Sequence, residues 1–97
     1  MLKLIRDKYV NEIDPGRLTK IEPSSEEYRQ FLYEKLYEEL NELELSDWKD
    51  VNEYADVYEV FMTIMNVNNI TEERVMSAKM SKRCLLGGFD DGIVLVY

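Results

Sequence analysis

The sequence contains no histidine. Imidazole is the usual ligand of catalytic zinc and of many copper sites, so a zinc or copper centre is not expected in this chain. Cys84 is the single cysteine, which excludes an internal disulfide and a Cys-x-x-Cys metal pair and suits a reducing compartment. On its own it reads as a small hydrophobe rather than a nucleophile. Proline and glycine are scarce, and nothing in the chain resembles a long linker, an internal repeat or a low-complexity tract. No stretch approaches the roughly 18 apolar residues of a membrane span, and Met1 to Val10 lacks the apolar core of a signal peptide, so the sequence reads as cytoplasmic.

Positive charge is also in short supply, with 12 basic residues against 20 acidic ones and a formal charge of −8. That balance opposes binding to polymeric nucleic acid or to an anionic membrane, and neither is expected as a partner. A small phosphorylated ligand stays compatible, because a metal ion and a local basic patch can hold it. Ninety-seven residues, 45% of them hydrophobic, suit one domain spanning 1–97. So small a core leaves aromatics such as Tyr33, Tyr37, Tyr54 and Tyr58 to be covered by another subunit, and a homodimer or higher homo-oligomer is expected.

What is present is helical patterning. Ser24 with Glu27 has the capping-box offset and predicts a helix from Ser25 to about Leu45. Ser46 and Asp47 offer caps for a second helix from about Trp48 to Val67, broken by Asn68 and Asn69. The short link predicts an antiparallel hairpin. Thr71 with Glu72 and Glu73 starts a third helix, which should end near Cys84, before Gly87 and Gly88. Asp14, Pro15 and Gly16 read as a turn. Ile93 to Val96 is β-prone and could pair with Leu2, Leu4 and Ile5. The expected fold is therefore all-α, a helical hairpin plus a third helix, with a short strand pair from the two termini.

Two glutamates interrupt this pattern where leucine would be expected. At about 100° per residue, Tyr28, Leu32, Leu36 and Leu43 form one apolar stripe, with Glu39 inside it and Glu42 on its border. Val57, Val60, Ile64 and Val67 form the facing stripe, with Glu53 inside it and Asp56 on its edge. Most Glu-x-x-Glu spacings in an acidic helix are solvated faces. Here the phase points inward, and clustered carboxylates repel by about 4 kcal/mol per pair at 4 Å and an effective dielectric near 20. A hard divalent cation relieves that repulsion, and Mg²⁺ prefers carboxylate oxygens and water. On the third helix Lys79, Lys82 and Arg83 cluster as one cationic edge, which could neutralise phosphate oxygens if it lay near the carboxylates.

The run Glu38-Glu39-Leu40-Asn41-Glu42, followed by Glu53-Tyr54-Ala55-Asp56, resembles the EExxE and ExxD motifs of the all-α nucleotide pyrophosphohydrolases related to MazG and phosphoribosyl-ATP pyrophosphohydrolase. Lys3-Leu4-Ile5-Arg6-Asp7-Lys8 looks like the KLVRDK opening of the small single-domain branch. Gly87-Gly88-Phe89 with Gly92-Ile93-Val94-Leu95 looks like its closing segment. The resemblance implies Mg²⁺, or Mn²⁺ in its place, held by Glu39, Glu42, Glu53 and Asp56, with Glu38 and Glu39 catalytic. It also implies Lys3, Arg6, Lys79 and Arg83 as phosphate-binding residues. The implied reaction is attack by a metal-activated water between the α and β phosphates of a nucleoside triphosphate, giving a monophosphate and pyrophosphate, with cleansing of the nucleotide pool as the implied role. Two features depart from the family. Only ten residues, Leu43 to Asn52, separate the acidic motifs, and Leu86 precedes the double glycine where a basic residue is frequent. The alternative of another class is a non-catalytic acidic helical module that binds a protein partner.

Overall fold

Ser25, one residue later than the capping-box pattern suggests, caps the first helix by accepting a hydrogen bond from the Tyr28 amide at 3.1 Å. The computed structural model describes residues 2–97. Helix α1 covers Glu26–Leu45, α2 covers Val51–Val67 and α3 covers Glu72–Leu86. Two short 3-10 segments, Asp7–Glu12 and Pro15–Arg17, precede them, and the second is set by the Asp14 carboxylate accepting from the Gly16 amide.

The link between α1 and α2 is longer than the sequence suggested, and α2 starts at Val51 rather than Trp48. The Trp48 amide donates to the Leu43 carbonyl and the Asp47 amide to the Glu44 carbonyl, the paired bonds of a Schellman ending. That ending places Asp47 at φ 59° and Trp48 at φ 62°. Neither angle continues or begins a right-handed helix. Asp50 therefore caps α2 instead, accepting from the Asn52 amide at 2.9 Å. Helix α2 ends the same way, with Asn69 at φ 59° and the Ile70 amide bonded to the Met65 carbonyl. Thr71 caps α3 as expected, and α3 reaches Leu86, two residues past Cys84, where Gly87 ends it at φ 82°.

Helices α1 and α2 pack as the expected hairpin, and theirs is the substantial interhelical contact among the described residues. Their stripes meet in the predicted phase: Leu32 and Leu43 are buried, and Val57, Val60, Ile64 and Val67 are half-buried. Arg29 donates to the Val67 carbonyl and the Asn68 amide group to the Tyr33 hydroxyl, tying the open end together. Helix α3 instead runs away from the pair, and of its residues only Val75 is even half-buried. The radius of gyration is 17.1 Å, against about 13 Å for a compact chain of this length.

The expected strand pair does not form: among the described residues there is no strand. Ile93 to Tyr97 has no regular structure and is 78–106% exposed, Leu2 is 67% exposed, and Leu4 and Ile5 lie against the hairpin. A two-stranded ribbon without a third layer is marginal in water, and the outward course of α3 carries the C-terminal segment away from the N-terminal one. Among the described residues no helix is long and apolar enough to cross a membrane.

Candidate metal and phosphate site

Three of the four carboxylates implicated by the sequence come together. Glu39 on α1 and Glu53 and Asp56 on α2 each place an oxygen so that all three lie within 4.8 Å of one another, and all three side chains are half-buried. The helical phase explains it. Glu39 sits inside the α1 stripe, and Glu53 and Asp56, three residues apart, project from the α2 face that meets it. Glu42 does not join them. It lies about 60° round α1 from Glu39, and the structure leaves it exposed near the closed end of the hairpin. Its charge still acts on the trio by raising the proton affinity of Glu53.

The N-terminal segment supplies the opposite charge. Arg6 donates to Asp56 at 2.6 Å, and Lys3 meets Glu38 at 3.3 Å. Lys35 bridges Glu38 at 3.2 Å and Glu39 at 3.3 Å, with its side chain only 16% exposed. Between these groups lies an open cavity of about 280 Å³ lined by Lys3, Arg6, Lys35, Glu39, Asp56 and Glu59 together with Tyr9, Ile5 and Val60. Glu53 stands just outside that lining. Its lining pairs cationic with anionic side chains.

Compared with known proteins, the chain matches no family model, no curated protein and no solved structure. The chemical reading of the site therefore rests on its own geometry. Lys79 and Arg83, the other expected phosphate contacts, lie on α3 and line neither this cavity nor its neighbour. Arg83 folds toward the chain after it, 3.8 Å from Asp90. Lys35 was not singled out from the sequence, although it sits one turn before Glu39 inside the same apolar stripe. A lysine at that phase, four residues before an inward glutamate, is the signal that could have found it. Tyr9 and Glu59 carried no such signal.

The electrostatics divide the carboxylates. Loss of hydration raises the Glu53 pKa above the usual glutamate range, and the negative charges of Asp56, Asp50, Glu39 and Glu42 push it the same way. Partial burial works against ionisation of Glu38, but hydrogen bonds from Lys35 and Lys3 outweigh it and hold its pKa below the ordinary value. Glu38 is thus a poor proton acceptor while both bridges are closed. Arg6 is held more firmly in its charged form, chiefly by its hydrogen bond to Asp56.

A pH dependence follows. A carboxyl whose folded pKa is raised destabilises the fold above that pKa, and the loss is relieved as pH falls toward the ordinary glutamate value. A divalent cation competes with the same proton. If the trio holds a divalent cation, the rise in thermal midpoint that Mg²⁺ induces should be largest near neutrality and shrink as pH drops through the raised Glu53 titration. Thermal shift measured from mildly acidic to neutral pH checks this, and a shift that stays constant would remove Glu53 from the site.

Lys35 gives a second check. Lys35→Met leaves Glu38 and Glu39 without their shared cation in a poorly hydrated position, at a cost of about 1–2 kcal/mol, or roughly 5–15 °C in midpoint without Mg²⁺. Adding Mg²⁺ should recover more of the midpoint in this variant than it adds to the wild type.

Proposed function

We propose that this chain is a Mg²⁺-dependent nucleotide pyrophosphohydrolase that cleaves between the α and β phosphates of a nucleoside triphosphate. The observation that carries the reading is the trio Glu39, Glu53 and Asp56, with ligand oxygens within 4.8 Å, beside a cavity lined by Glu39 and Asp56 together with Lys3, Arg6 and Lys35. The donor set fits the ion. Octahedral coordination near 2.1 Å needs cis oxygens about 3 Å apart, which small side-chain rotations within the trio provide. Three carboxylates without histidine or thiolate favour Mg²⁺, with Mn²⁺ as the nearest substitute. When bound, such an ion supplies Lewis acidity: it lowers the pKa of coordinated water and offsets charge on phosphate oxygens.

The chain's own residues supply the rest. Arg6 and Lys3, with side chains 60% and 59% exposed, line the cavity with donors able to reach a polyphosphate entering it. Arg6 presents a planar fork suited to bidentate phosphate contact, whereas Lys3 acts as a mobile point charge. Once Asp56 is engaged by another cation, the Arg6 guanidinium is free to turn toward phosphate. Lys35, 3.3 Å from Glu39, fixes the direction of that side chain. Lys35 and, to a smaller extent, Lys3 hold Glu38 in its charged form, so movement of Lys3 to a phosphate oxygen would return only part of its basicity. Tyr9, at the cavity edge, offers an aromatic face for a base or sugar.

The experiment is pyrophosphate release from a panel of natural and modified nucleoside triphosphates with Mg²⁺, using Asp56→Asn as the paired control. Release confined to the wild type establishes the activity and its substrate class. No release from any triphosphate by folded protein moves the reading to the acidic interaction module.

A further inference from the structure

The chain lays a cation of its own on the carboxylate trio. Arg6 donates to Asp56 at 2.6 Å, so one of the three acids is already engaged, whereas no ion pair among the described residues reaches Glu53. Two anchors fix where Arg6 stands. Lys3 pairs with Glu38 on α1 and Arg6 with Asp56 on α2, and Leu4 and Ile5 between them are half-buried. Three extended residues span at most about 10 Å, which matches the roughly 8–10 Å between the axes of packed helices, so residues 3–6 strap α1 to α2 across the site. The Arg6 backbone is extended at φ −65° and ψ 147°, and its carbonyl accepts from the Tyr9 amide at 3.0 Å. The main chain is thus held on both sides of Arg6, while the side chain, 60% exposed, has room to change rotamer.

We propose that Arg6 gates the metal site inferred above, on which this reading rests, so that the site selects Mg²⁺ together with a polyphosphate over either one alone. With no phosphate present, Asp56 becomes open to a dication only when the guanidinium leaves it, because the two cations repel on one carboxylate. The other carboxylate open to Arg6 in the cavity lining, Glu59, is exposed, and an ion pair there adds little. A free polyphosphate is disfavoured for the mirror reason. Arg6 turning to it abandons Asp56 beside Glu39 and Glu53 with no charge to replace its own. When ion and phosphate arrive together, Asp56 exchanges one cation for another and the guanidinium gains a bidentate partner. One side chain therefore couples the two ligands, and each raises the affinity of the other by the same factor. Lys3 stands outside this exchange, since its partner Glu38 does not belong to the trio.

Titration calorimetry of the full chain tests the gate, first with Mg²⁺ alone and then with methylenediphosphonate at saturating Mg²⁺, a probe whose P–C–P link resists hydrolysis. Arg6→Gln is expected to bind Mg²⁺ about 2–5-fold tighter than the wild type, the worth of an exposed ion pair, and to bind the diphosphonate about tenfold weaker or more. Opposite signs in one variant mark the exchange. A residue that only binds phosphate leaves Mg²⁺ affinity unchanged, and one that only holds the fold weakens both. Lys3→Gln removes the same charge from the same lining and should keep its Mg²⁺ affinity within about twofold of the wild type. Three results overturn the gate and leave the metal site standing: Arg6→Gln binding Mg²⁺ no tighter than a wild type that binds it, unchanged diphosphonate affinity, or an equal gain in Lys3→Gln. Absence of Mg²⁺ binding by wild type and Arg6→Gln alike removes the metal site and the gate with it.

Discussion

Glu39→Gln is expected to lower the rate of pyrophosphate release by at least about 10²-fold while leaving the helical content unchanged. The amide keeps the volume of the side chain and removes its charge from the centre of the trio, where the Glu39 side chain is only 13% exposed. Losing one of three anionic ligands at a catalytic cation is worth about 3 kcal/mol of transition-state stabilisation, and each 1.36 kcal/mol is tenfold in rate. The fold should survive because Lys35 keeps its bridge to Glu38 at 3.2 Å. Initial rates at saturating Mg²⁺, read beside circular dichroism, decide the matter. A loss in kcat marks an interaction made in the transition state, whereas a loss only in substrate affinity would demote Glu39 to positioning. Wild-type turnover by this variant would remove the trio from the chemistry altogether.

Why periodicity foretold this trio but not the partners Lys3 and Arg6 lies in what a helical repeat encodes. Glu39, Glu53 and Asp56 interrupt apolar stripes, and a 3.6-residue repeat fixes which way an interrupting side chain points once the stripe is buried. Glu42 shows the limit of that argument, since a residue on the border of a stripe is buried or exposed according to how closely the facing helix approaches it. Lys3 and Arg6 reach Glu38 and Asp56 across 35 and 50 residues of sequence. Nothing periodic encodes such contacts, and only the resemblance at the N-terminus pointed to these two residues. Lys79 and Arg83 were implicated by the same resemblance, but α3 carries them away from the cavity. The hairpin itself was legible from caps and stripes, apart from the three residues by which α2 is shortened. Asp47 and Trp48 take left-handed angles there, and neither residue type announces that in advance as glycine would. The strand pair failed for a related reason: β-propensity describes a segment that fits a sheet, and no sheet is present to receive Ile93 to Tyr97.

Leu43→Ala is expected to destabilise the chain by about 2–5 kcal/mol, whereas the same change two residues later, Leu45→Ala, should stay within about 0.5 kcal/mol. Leu43 is 3% exposed and Leu45 is 74% exposed, although both lie in the last turn of α1. Among the described residues only Leu32, Leu43 and Met65 are buried, so the loss falls on a very small core. For a chain of this size 1 kcal/mol is about 4–8 °C in midpoint, which puts the Leu43→Ala shift at roughly 10 °C or more. Leu43 also sits under the turn that ends α1, where its carbonyl accepts from the Trp48 amide and the Ser46 hydroxyl. Truncating it should loosen the approach of α2 to Glu39, so Mg²⁺ affinity and stability should fall together. Calorimetry of both variants with and without Mg²⁺ separates the effects. Equal costs for the two leucines would mean that the exposed face of α1 is itself packed in solution.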